Sequence, residues 1–183
     1  MPSAARARTR RLLLDAAVVV LAKDAKASLG QIADAAGVGR TTLHRYFPER
    51  ADLLAALTAD FREQFAAANE RAALADGLAA QAIERLCLEY LQFANHLALL
   101  VTDTLSEKDV FIGDELALEA SLHATVSRGH KDGSIDPALT PEWISATLYA
   151  LIYAVGDLLA YTGVTRYEAS RQLIHTLRKT LAP

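Results

Sequence analysis

One cysteine, one tryptophan and five prolines in 183 residues exclude several kinds of protein at once. The lone Cys87 can neither close an internal disulfide nor build a cysteine-based zinc site. It sits in the run Ile83, Leu86, Cys87, Tyr90, Leu91, where a small buried apolar group is expected rather than a reactive thiol. There is no Walker loop, no G-x-G-x-x-G and no H-E-x-x-H, so no enzyme constellation and no cofactor is expected. No apolar run reaches the ~18 residues of a membrane span. Arg6, Arg8, Arg10 and Arg11 before LLLDAAVVVLA imitate a signal peptide, but Asp15 breaks the apolar stretch, and the protein is expected in the cytoplasm. Runs of alternating β-branched residues are missing too, which leaves an all-helical chain.

What is present is concentrated near the start. The formal charge of −3 does not suggest a nucleic-acid binder. Divided at residue 50, however, the first part holds nine Lys/Arg against four Asp/Glu, and the rest holds ten against eighteen. A head of +5 on a body of −8 is the pattern of a local phosphate footprint.

That head contains SLGQIADAAGVGRTTLHRYFPER, residues 28–50. Ser28 can cap a helix, with Gln31 closing a capping box. Ile32, Ala33 and Ala36 recur as its inward face, and Gly37 ends it where positive φ is needed. A second helix then runs from Arg40 to Phe47 before Pro48 stops it. Only Leu43 and Phe47 need face inward there. The outward residues are arginines, hydroxyls, a histidine and a tyrosine, which suit phosphates and base edges. The pattern is a helix-turn-helix, with an ordinary helical hairpin as the bland alternative.

Caps and breakers extend the map. A first helix is expected over about 5–22, with Leu12, Ala16, Val19 and Val20 on one face. A fourth runs from near Asp52 to Leu74, a fifth from Leu78 to Asn95, a short sixth from Leu97 to Leu105, and a seventh from Gly113 to Gly129. Thr140-Pro141 starts an eighth that Gly163 ends, and Thr165 with Glu168 caps a ninth. The expected division is a DNA-binding head, 1–50, and a helical body, 51–183.

With this motif second and third in an all-helical chain, the sequence resembles the TetR family of ligand-responsive transcriptional repressors. The resemblance rests on LLLDAA, IADAAGVGRTTLHRYF and PERADLLAAL in the family's order, residues 12–57. It implies groove contacts from Arg40, Thr41, Thr42 and Arg45, and backbone contacts from Ser28, Tyr46 and Arg50. Three departures stand out. The corner Lys23–Ala27 is short and lacks the family's Gly-aromatic pair. His44 occupies a position that is often tyrosine. Gly30 stands where relatives sometimes carry a base-reading arginine.

Two apolar stripes mark the body: Leu86, Tyr90, Phe93 and Leu97, and Tyr149, Ile152, Tyr153 and Gly156. Such stripes are usually core, yet tyrosines among apolar residues also suit a ligand pocket. Tyr90, Phe93, His96, His123, Tyr149 and Tyr153 are the candidates to line it. His96 and His123, with Asp103 or Glu119, are the sole candidate metal cluster; satisfied polar groups are the commoner case, and no metal is expected. The eighth helix is apolar nearly all round, which implies a partner. The resemblance implies a two-fold interface there, formed by Leu148, Leu151, Val155 and Leu158 with Leu173, Ile174, Leu177 and Leu181. The expected function is a homodimeric repressor that binds a palindromic operator and is released by a small, largely apolar molecule. Two alternatives remain: a DNA-binding dimer without an effector, and a helical metal- or lipid-binding protein.

Overall fold

The computed structural model describes residues 4–101, 104–106 and 115–183. Among these there are nine helices and no strand, as the sequence implies: α1 Ala4–Lys23, α2 Leu29–Ala35, α3 Arg40–Tyr46, α4 Arg50–Ala72, α5 Ala79–Leu91, α6 Ala94–Val101, α7 Glu115–Asp132, α8 Pro141–Tyr161 and α9 Arg166–Leu181. The expected starts at Gly113 and the ligand candidate Asp103 lie outside the described residues.

Contacts divide the chain into two units, residues 1–62 with 95–110, and residues 63–94 with 111–183. The first therefore reaches further than the expected head, taking in the start of α4 and most of α6. In it, α1 packs on α2 and α2 on α3. The buried face of α1 is Leu13, Leu14, Ala17, Val18 and Leu21. Leu12 and Val19, on the other apolar face noted in the sequence, are exposed. The stretch is apolar on two sides, so periodicity alone does not fix which stripe packs.

The caps form as local chemistry dictates. Ser28 and Gln31 close a complete capping box on α2. At the other end Gly37 takes φ +67°. Its N–H donates to the Asp34 carbonyl and that of Val38 to the Ala33 carbonyl, at 3.1 and 3.0 Å. This is a Schellman closure, and only glycine enters that conformation without steric penalty. Phe47 leaves helical geometry just before Pro48, whose ring disfavours it.

The inward residues of α4 are Leu53, Leu57, Phe61, Phe65, Ala68 and Ala72, three or four apart along its whole length. In the second unit α5 is central, packing against α7, α8 and α9, while α8 also packs on α7 and α9. Thr140 caps α8 with proline in its first turn, and Thr165 with Glu168 boxes α9. Cys87 is buried, and burial, reinforced by Glu84, pushes its thiol pKa up to about 12. It is an inert part of the core.

Candidate nucleic-acid interface

The α2–α3 pair presents one face built from short-range order. Leu43 and Phe47 are buried, which leaves Arg40, Thr41, His44 and Arg45 exposed and Thr42 and Tyr46 half-buried. Tyr46 is held between cations: the guanidinium carbons of Arg45 and Arg6 lie 5.7 and 5.8 Å from its ring centre. Arg10 stands 5.9 Å from the Phe47 ring. The first helix therefore adds two arginines to the basic face. Sequence reading counted them only as charge, because their neighbours on α3 are some forty residues away.

The Ser28 hydroxyl accepts from the Gln31 N–H at 3.3 Å, so part of its bonding capacity closes the cap. Nδ1 of His44 lies 3.2 Å from the Pro48 carbonyl. A carbonyl only accepts, so Nδ1 carries the proton in that contact. Arg50 turns back on the chain, donating at 2.5 Å from Nη1 to the Ala27 carbonyl and at 2.5 Å from Nη2 to the Ala25 carbonyl. The short corner between α1 and α2 is closed by this arginine and by Asp24, whose carboxylate accepts from the Lys26 N–H at 2.9 Å. Arg50 is thus a positioning group for α2, and two of its five N–H groups are already engaged.

Further back in the same unit, Asp60 on α4 accepts from Arg11 Nη1 at 2.5 Å, and His96 Nε2 lies 3.6 Å from its other oxygen. His96 is 7% exposed, with its ring 5.5 Å from that of Phe61. Burial alone raises the Asp60 pKa, but the nearby His96 and the hydrogen bond and charge of Arg11 outweigh it and hold the carboxyl below its usual value.

In the second unit the α5 stripe is packed rather than open. Tyr90 donates to the Asn69 side-chain oxygen at 2.6 Å and stacks on Phe65 at 5.1 Å, with Phe93 edge-on to Phe65. Tyr90 and Phe93 are each 3% exposed, and burial pushes the Tyr90 hydroxyl pKa upward. A cavity of about 460 Å³ lies elsewhere, between the end of α4 and α7, lined by Phe65, Asn69, Leu74, Leu118, Thr125 and Arg128 among others. None of the candidates Tyr90, Phe93, His96, His123, Tyr149 or Tyr153 lines this cavity. Tyr90 of α5 and Phe93 just after it fill space against Phe65 of α4. Tyr149 and Tyr153 are half-buried. His123 is also half-buried, 3.8 and 3.7 Å from carboxylate oxygens of Glu119 and Glu142. No group of three or more metal-ligating side chains occurs among the described residues.

Of the expected interface residues, Leu148, Val155, Leu173, Leu177 and Leu181 are buried within the chain itself. Ile144, Leu148, Ile152 and Val155 form the inward face of α8. Leu151, Leu158 and Ile174 stay half-exposed. The outward side of α8 carries Trp143, 61% exposed, with Ala146, Ala150 and Ala154.

Comparison with known proteins agrees with this geometry. Residues 13–57 match the family described as bacterial regulatory proteins, tetR family. Over 172 residues the chain is 38% identical to the HTH-type transcriptional repressor LfrR of Mycolicibacterium smegmatis, covering 91% of this chain and 86% of that protein. The crystal structure of the TetR-like regulator LfrR from Mycobacterium smegmatis matches with a TM-score of 0.73 at 33% identity, over 99% of this chain and 100% of that one. LfrR in complex with proflavine matches with a TM-score of 0.60 at 32% identity, over 96% and 98%. The chain belongs to the TetR family of bacterial regulatory proteins. It is a helix-turn-helix regulator and not an enzyme. No helix among the described residues is long and apolar enough to cross a membrane.

Proposed function

We propose that the protein is a cytoplasmic repressor that binds a palindromic operator as a homodimer and leaves it when a small, largely apolar molecule binds. The outward face of α3 carries the reading: its apolar residues are buried, and Arg40, Thr41, Thr42 and Arg45 are turned out beside Arg6 and Arg10. Placed in a major groove, these four side chains contact base edges, while Ser28, His44 and Tyr46 contact the backbone. Arg50 contributes chiefly by holding α2 in place. The similarity to LfrR, itself a repressor, supports the sense of regulation.

The dimer is proposed through the outward face of α8, where Trp143, Ala146, Ala150 and Ala154 form a surface bounded by the exposed Glu142 and Asp157 and edged by Leu151, Leu158 and Ile174. A two-fold dimer calls for inverted half-sites one or more helical turns apart. For the effector, the complex of LfrR with proflavine and the cavity beside α7 point the same way. Because α4 begins directly after the recognition helix and ends at that cavity, a ligand that favours another position of α4 lowers operator affinity. Coupling of ~1–3 kcal/mol is typical of such linkage.

Selection of bound fragments from random DNA tests the reading. A palindrome whose affinity falls steeply with salt is expected, since phosphate contacts release counterions. Equal binding of all fragments at physiological salt overturns it. Proflavine added to the selected complex is expected to weaken it about 5- to 150-fold, with an unrelated DNA-binding protein on the same duplex as control. The packed Phe65–Tyr90–Phe93 cluster favours one second reading, a DNA-binding dimer without an effector. That reading holds if neither proflavine, an aromatic cation, nor apolar compounds bind the free protein.

A further inference from the structure

Gly30 is the second residue of α2, in ordinary helical backbone, so no left-handed geometry requires a glycine there. Glycine is moreover a poor choice within a helix, since it gives up the most conformational freedom on folding. What its bare backbone provides is space. A Cβ built on Gly30 meets Cζ and Nε of Arg40 at 3.0 Å and Nη2 at 3.2 Å. The guanidinium of Arg40, the first residue of α3, therefore lies against the opening turn of α2 instead of extending along its own helix. It is exposed, and it makes no hydrogen bond or ion pair with the chain among the described residues.

We infer that Gly30 and Arg40 form one specificity-determining unit, in which the missing side chain at position 30 seats the Arg40 guanidinium over α2 to read a guanine in each half-site. The inference rests on the α2–α3 face being the DNA-reading face. A guanidinium offers a fork of donors that matches O6 and N7 of guanine, and its selectivity depends on where that fork is held. Arg40 on a free stem could reach several bases. Seated against α2, it is restricted to the base pair nearest that helix. An arginine that reads from α2 is thus supplied by the neighbouring helix.

Selection of bound sequences is carried out with the full-length wild type, Gly30→Ala, Arg40→Ala and the double variant, with thermal unfolding of each as a check on folding. Arg40→Ala is expected to lose preference for guanine at one position of each half-site, by about 5- to 150-fold. Gly30→Ala is expected to change preference at that same position and nowhere else. The double variant should match Arg40→Ala, because a displaced group that is absent can lose nothing more. Gly30→Ser serves as a second displacement should the alanine variant unfold early. A Gly30→Ala motif identical to that of the wild type overturns the inference while leaving the regulator reading intact. So does a change at a position different from that affected by Arg40→Ala. A wild type that selects no motif overturns both.

Discussion

Arg11 on the first helix donates to Asp60 on the fourth at 2.5 Å, tying two elements 49 residues apart. The pair is asymmetric. The Asp60 side chain is 11% exposed and that of Arg11 is 42% exposed, and Arg11 also pairs with Asp15. Most of the consequence of breaking it therefore falls on the aspartate and on the buried His96 beside it.

Asp60→Asn is expected to lower stability by about 1–2 kcal/mol, less than for a fully buried pair because water screens the arginine. The pH dependence has a definite sign. Asp60 is held below its usual pKa in the folded protein, so its contribution is complete above the unfolded value of roughly 3.9 and disappears as pH falls through the folded value. Urea midpoints of wild type and variant, measured between pH 6 and pH 3, should converge on acidification. A gap that widens instead contradicts the assignment.

Arg50→Ala removes both bonds that close the corner before α2. A loss of about 1.5–3 kcal/mol is expected, as for hydrogen bonds from a charged group. Binding should weaken on all DNA sequences alike, with the selected motif unchanged. Arg50→Lys should restore little, since one ammonium cannot reproduce a fork that serves two carbonyls. A variant with full stability and an altered motif would make Arg50 a base reader.

Ala150→Glu addresses the proposed dimer. Ala150 is exposed in the protomer, so the helical fold should survive, as circular dichroism reports. A carboxylate placed in an apolar interface costs several kcal/mol unless the chains separate. Sedimentation should show monomer, and operator affinity should collapse with it. A dimer that persists at micromolar concentration moves the interface away from this face of α8.

Tyr90→Phe distinguishes core from pocket. The variant loses the bond to Asn69 and leaves that amide oxygen without its partner, so a destabilisation of about 1 kcal/mol is expected, with operator binding and release unchanged. Loss of release at full stability would return Tyr90 to a ligand site.

Much of this was legible in the chain because it depends on near neighbours. Ser28 with Gln31, Thr165 with Glu168, Gly37 and Pro48 each act within three to five residues, and each element begins or ends where they indicate. The recognition helix was legible for the same reason, since Leu43 and Phe47 leave one composition for its outward face. The phase of the apolar helices was not. Val155 and Leu158 both suit an interior, and only the packing around α5 buries the first and leaves the second at the surface.

The sequence by itself determined the helices, their order, the helix-turn-helix and the basic head, all consequences of local hydrogen bonding, steric limits and charge. Tertiary structure alone decided that Arg50 closes a corner, that Arg40 lies over Gly30, that Asp60 joins Arg11 to His96, and that Leu177 faces inward. Each of these joins residues far apart in the chain or selects one of two equally apolar faces. Periodicity contains neither piece of information, because it records what a residue can bury and not what it will be buried against.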